Sequence, residues 1–260
     1  MPEFVLYNAP QSTCSQRVRF VLNAKKLAFE ERKLDLFSGD QLKPDYLAIN
    51  PNGVVPTLVH DGAVIIDSAV IIEYLDEVRP REVCFTPDDA LDRARMRSMM
   101  RYIDEIPTPA VRIPSYNLAF LPHFRAMSEE DFLALANSKP LRKEFLLTMG
   151  RSGFAEKEMN GALDRLARAL KRMDDWLAAS GGPFLMGEML TLADIAIMPV
   201  IVRMDDINLH EMWTDRPAIG RWLAAIRAQK AYAATYYHGS HLTEKYPHLA
   251  KLREERRAAG

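Results

Sequence analysis

Cysteine is scarce in this chain: Cys14 and Cys84 are the only two in 260 residues. Two thiols give no disulfide framework, and with six scattered histidines they give no zinc cluster, so no metal is expected. Net charge is nearly absent as well. Lys and Arg number 34 and Asp and Glu 35, a formal charge of -1. That balance leaves no footprint for nucleic acid and no field of one sign to steer a partner. Long apolar runs are missing. The longest, Ile195 to Val202, is interrupted by Pro199 and falls well short of the roughly 20 residues that span a bilayer. The opening Met-Pro-Glu-Phe has neither a basic region nor an apolar stretch, so no secretory signal is visible and a cytoplasmic location is expected. Glycine-rich nucleotide loops, HExxH and GxSxG are absent too.

What is present is the composition of a folded protein, 48% hydrophobic and 27% charged. The first eighty residues alternate strand and helix signals. Phe4 to Tyr7 is a short apolar run stopped by Asn8-Ala9-Pro10. Val18, Val21 and Leu22 make a helical stripe within about Ser15 to Lys25. Phe29 to Leu36 fits a second strand, and Pro44 opens a short helix. Thr57 to His60, Asp61-Gly62 and Ala63 to Ile66 read as a hairpin. Asp67-Ser68 then opens a helix with Val70, Ile71, Tyr74 and Leu75 on one face. The order β-α-β-α-β-β-α predicts a small mixed sheet. From Arg79-Pro80-Arg81 to Pro87-Asp88-Asp89 the grammar changes to linker. Beyond it, Ala90–Asp104, Glu130–Asn137, Phe154–Ala179, Leu190–Met204 and Ala218–Ala225 read as helices, which predicts an all-α second domain. The boundaries expected are 1–82 and 88–260.

Four short motifs carry chemistry or folding. In Asn50 to Thr57, Gly53 suits a turn with positive φ. Val55-Pro56 sits directly before a strand, a tight turn where a cis peptide is tolerated. An outward-facing Val55 backbone there would offer an edge for an extended peptide, although an ordinary turn explains the pattern as well. Asp67-Ser68 is a helix cap, and a helix start also holds carboxylates, while Asp67 would suit an ammonium; cap and site both stand. Ser12-Thr13-Cys14-Ser15 exceeds what capping needs and favours an anion or thiolate at the first helix start. Thr191 with Asp194 is a capping box, a folding element.

Together these features resemble the glutathione transferases, from Phe4 to about Tyr232. The resemblance implies an α/β thioredoxin-like N-terminal domain followed by an all-α helical C-terminal domain. It implies glutathione as co-substrate, a small hydrophobic electrophile as acceptor, no nucleic-acid or membrane partner, and a homodimer. By position, Val55 before Pro56 would bond the cysteinyl backbone of glutathione. Asp67 and Ser68 would hold its γ-glutamyl end, and Gln41 or Lys43 its glycine carboxylate. Ser12 through Arg19 resembles the serine-type zeta and phi members, which makes Ser12 the donor to the glutathione sulfur. Met127 to Phe132 with Arg151 to Phe154 instead resembles bacterial β-aryl etherases, and on that alignment Ser15 takes the place facing the sulfur. The acceptor would rest on residues such as Tyr102, Arg112, Tyr116 and Met204. Two other readings stay open: a maleyl-type cis-trans isomerase using glutathione, and a non-catalytic binding module of the same fold.

Overall fold

The first strand, β1 (Phe4–Asn8), alternates buried and half-buried residues and lies in the middle of the sheet. The computed structural model describes residues 3–79 and 83–251. After β1 come α1 (Thr13–Ala24), β2 (Phe29–Lys33) and a short α2 (Pro44–Leu47). β3 (Thr57–His60), β4 (Ala63–Ile66) and α3 (Ser68–Val78) follow. The sheet order is β2-β1-β3-β4, with β1 parallel to β2 and the other pairs antiparallel. This is the predicted thioredoxin-like order. The β3–β4 turn has positive φ at Asp61 (48°) and Gly62 (88°), the geometry that Asp-Gly hairpins adopt.

In the first half, two boundaries differ from expectation. β2 stops at Lys33 rather than Leu36 because the Asp35 carboxylate accepts the amides of Phe37 and Ser38 and folds the chain into a turn. α1 begins two residues early, since Ser12 Oγ accepts the Ser15 amide at 3.2 Å and makes Ser12 the cap. The apolar stripe also understates α1. Every residue from Ser15 to Leu22 is buried, Arg17 and Arg19 included, because helices from both halves pack around it.

The second half is helical: α4 (Ala90–Glu105), α5 (Pro107–Ser115), α6 (Leu121–Arg125), α7 (Glu129–Asn137) and α8 (Lys143–Met149). Then come α9 (Glu156–Ser180), α10 (Leu192–Asp206), α11 (Pro217–Arg227), α12 (Lys230–Thr235) and α13 (Leu242–Lys245). Of the expected linker, residues 80–82 lie outside the described residues, as do 1–2 of the first domain and 252–260 of the second. α5 escaped the periodic reading because its Pro107, Pro109 and Pro114 look like loop. Pro114 has no N–H for the ladder, and the next turn, Tyr116–Phe120, is a wide π turn.

α10 is the central post and is buried almost throughout. It packs against α1, α4 and α5, so one apolar core runs from Leu6, Val18 and Ile71 into Met100, Val111 and Ile197. The capping box forms as expected, and Asp194 does more than cap. It accepts from the Thr191 amide and hydroxyl, the Leu185 amide and Trp222 Nε1, all between 2.8 and 2.9 Å. Burial raises its pKa against those four bonds.

Candidate active site

A cleft of about 510 Å³ opens between the α1 start and the α5–α8 region. Its first wall carries Ser12, Thr13 and Cys14, then Gln41 and Val55; its second carries Arg112, Tyr116 and Arg142. Ser12 therefore has two duties that do not compete. Its oxygen accepts the Ser15 amide through a lone pair, which leaves the O–H proton free for another acceptor.

The turn before β3 is held from beneath. Tyr46 Oη donates to the Val54 carbonyl at 2.6 Å, and Asn50 Nδ2 donates to that carbonyl and to Thr57 Oγ1. Burial raises the Tyr46 pKa, while Thr57 and Asn50 oppose it. The Val55 amide and carbonyl stay outside this network, beside the cis Val55-Pro56 bond. Gln41 is buried against the same turn; its Nε2 donates to the Leu36 carbonyl, and its Oε1 has no partner. The free atom is thus an acceptor, which suits an N–H rather than a carboxylate. Lys43 is exposed and paired with Asp40 at 2.7 Å.

Ser15 is not brought to the cleft. It is fully buried, with Oγ beneath the Ala9 amide at 3.4 Å. Asp67 and Ser68 stand at the start of α3, beyond the residues that line the cleft. Asp67 Oδ1 accepts the amides of Ala69 and Val70, so the cap occupies two amides of that helix start. Ser68 Oγ accepts from Arg17, which leaves its own proton to donate. Of the four acceptor-side residues, Arg112 and Tyr116 line the cleft. Tyr102 instead packs edge-on to Trp176, and Met204 is core.

The second wall is aromatic below and cationic above. Tyr116 lies against Phe120, Phe124 and Phe145, with ring centroids 4.9 to 5.8 Å apart. Burial raises the Tyr116 pKa, and Arg112, Arg142 and Arg203 pull it back. Burial lowers the Arg112 pKa, Arg142 lowers it further, and Cys14 opposes them. Sequence reasoning missed Phe120, Lys139 and Arg142. They sit on the π turn and the α7–α8 connection, where no period marks a face.

Behind the cleft, the end of the chain braces the Ser12 loop. Gln11 Nε2 donates to the Gly239 carbonyl at 2.9 Å, and Gln16 Nε2 to that of Ser240 at 3.2 Å. Arg19 donates to the carbonyls of Pro10 and Thr235, and Arg203 to that of Gln11.

A thioredoxin-like sheet with a cis-proline turn and a capped helix start, facing helices across this cleft, defines a two-part class of protein. Residues 11–78 match the family model "Glutathione S-transferase, N-terminal domain", and residues 156–225 match "Glutathione S-transferase, C-terminal domain". A Caenorhabditis elegans protein named "Probable maleylacetoacetate isomerase" is 31% identical over 205 residues, 79% of this chain and 80% of that one. "Glutathione S-transferase 1" of Dianthus caryophyllus is 28% identical over 76% of this chain and 75% of its own. The crystal structure of β-etherase LigF from Sphingobium sp. strain SYK-6 superposes with a TM-score of 0.80 at 26% identity, covering 90% of this chain and 98% of that one. The chain belongs to the glutathione S-transferase family.

Proposed function

We propose that this protein is a glutathione transferase that joins the glutathione sulfur to an electrophilic carbon of a hydrophobic, aromatic substrate. The observation that carries the reading is Ser12: a capping hydroxyl with a free proton, on a cleft it shares with Val55, Gln41 and an aromatic wall. Residues 1–82 hold glutathione and 88–260 the electrophile. Val55 pairs with the cysteinyl backbone, Gln41 Oε1 takes an N–H, and Lys43 takes the glycine carboxylate. Ser68, with Asp67 beside it, holds the γ-glutamyl end.

Free glutathione is mostly protonated at neutral pH and so is a weak nucleophile. A hydrogen bond from Ser12 Oγ–H stabilises the thiolate once the proton has left to solvent. One charge-assisted bond is worth about 1.5–3 kcal/mol, which lowers a thiol pKa by roughly 1–2 units. The thiolate attacks, the carbon–sulfur bond forms, and the leaving group departs with its electron pair. A β-aryl ether is one such substrate, with an aryloxide as leaving group; the likeness to LigF supports it. The chain acts mainly by holding the two reactants together. A second reading, cis-trans isomerisation of a maleyl-type diacid, is favoured by the relative at 31% identity. The assembly proposed is a homodimer, and a single-chain mass by light scattering contradicts it.

The test is turnover of chlorodinitrobenzene, a β-aryl ether and a maleyl diacid with glutathione, alongside calorimetry with glutathione alone. Binding with conjugation or ether cleavage supports the transferase. Isomerisation alone favours the second reading, and binding without turnover leaves a binding module. Absence of binding defeats all three.

A further inference from the structure

Arg112, Arg142 and Lys139 converge on the second wall of the cleft, and no carboxylate among the described residues pairs with any of them. Arg112 lies over the Phe145 ring, 5.7 Å from its centroid. Arg142 donates to the Leu141 carbonyl at 3.0 Å. Lys139 is half-buried, and burial lowers its pKa as it does that of Arg112. Of the other cations of the cleft, Lys33 pairs with the Glu31 carboxylate, while Lys245 lies over Phe37 and Arg203 is taken up by the Gln11 carbonyl and Ser115.

The two acids of the cleft are also engaged. Asp35 accepts from Phe37 and Ser38, and Asp40 accepts from Lys43 and the Asp35 amide. The α7–α8 connection closes against the first domain, since a Cβ on Gly53 would lie 3.3 Å from Pro140 Cδ. Cations drawn into a partly dry wall without counterions favour an anion arriving from outside. The planar guanidinium fork matches a carboxylate in two-point geometry.

We infer that Arg112 and Arg142, with Lys139 beside them, form a subsite for a carboxylate on the electrophile, so that the preferred acceptor is an aromatic acid. The ring rests on Tyr116 and Phe120 while the carboxylate meets the two arginines, across the cleft wall from the Ser12 loop. This rests on the transferase reading and narrows its substrate class. Glutathione has carboxylates of its own, so the experiment must separate the two sources.

The probes are chlorodinitrobenzoate and its methyl ester, which share ring and leaving group. Wild type should prefer the acid in kcat/KM. Arg112→Gln and Arg142→Gln should each reduce kcat/KM for the acid by about tenfold more than for the ester, as loss of a charged hydrogen bond implies. Arg112→Lys should recover part of that difference. Equal loss on both probes overturns the subsite, and a raised KM for glutathione with no change in acid preference assigns the cations to glutathione instead. Calorimetry of the acid in the presence of S-methylglutathione, which cannot react, decides the matter independently of turnover. Weaker binding in Arg112→Gln supports the subsite, and equal binding overturns it. If the ester turns over while the acid shows no preference, the transferase reading stands and the subsite falls.

Discussion

The Arg17 guanidinium lies 2.5 Å from the Asp104 carboxylate, joining the first helix of the sheet domain to α4. The same side chain donates to Ser68 Oγ, Thr108 Oγ1 and the Ala196 carbonyl. One buried cation thus ties α1, α3, α4, α5 and α10 together. Arg17→Ala should destabilise the protein by about 3–5 kcal/mol in urea unfolding, because it strands acceptors that only a fork can satisfy. Arg17→Lys should recover little of this, having no planar fork. A loss under 1 kcal/mol in either variant would contradict the hub.

Ser12→Ala removes a cap and a donor at once. Stability should fall by about 1 kcal/mol from the cap. Turnover should fall roughly 10–100-fold, with glutathione affinity nearly unchanged, the pattern of a contact made mainly with the reacting sulfur. Stopped-flow turnover beside glutathione calorimetry reads both. Unchanged turnover would move the role to backbone amides.

Cys14 borders the cleft and is half-buried, whereas Ser15 is fully buried. Cys14→Ala should keep turnover within a few-fold, because glutathione brings the reacting sulfur. Ser15→Ala should act on thermal stability rather than on kcat. If Cys14→Ala abolishes turnover while Ser12→Ala does not, the sulfur chemistry belongs to the protein.

Asp40 has its pKa lowered, chiefly by its bond from Lys43 and then by the Asp35 amide. Since the folded value lies below the ordinary 3.8, its contribution to order is present above that value and is lost as pH falls through the folded one. Hydrogen exchange at Gln41 and Leu42 should therefore quicken below about pH 4, beyond the intrinsic pH dependence. In Asp40→Asn it should be quick at neutral pH already. Protection independent of pH in both proteins would refute this.

Much of the fold was legible because local chemistry and tertiary packing agree there. Asp61-Gly62 can turn only one way economically, and Thr191 with Asp194 announces a helix start wherever it lies. The cleft was legible on its first wall, where Ser12 and Val55 come from turns with sequence signals and the family resemblance named Gln41 beside Lys43. The second wall was not. Tyr116 and Phe120 owe their direction to a π turn after Pro114, which shifts the helical phase. Lys139 and Arg142 look in sequence like solvated charges, yet the connection that carries them comes close to Gly53 through Pro140 and both side chains line the cleft. Ser15 misled for the opposite reason: a hydroxyl one turn past a cap has no local mark of burial.

The carbonyls of Thr235, Gly239 and Ser240 brace the loop that carries Ser12. Gln11 and Gly239 stand 228 residues apart, so a ribosome releases the two segments at well separated times. Until residues 235–240 have emerged, Gln11 lacks its Gly239 acceptor, while Gln16 keeps its bond to the Pro10 carbonyl and Arg19 its bonds to Asn8, Ala9 and Pro10. A translation product cut short before Thr235 should carry every residue of the first wall and still lack the cross-chain bonds that hold the Ser12 loop from behind.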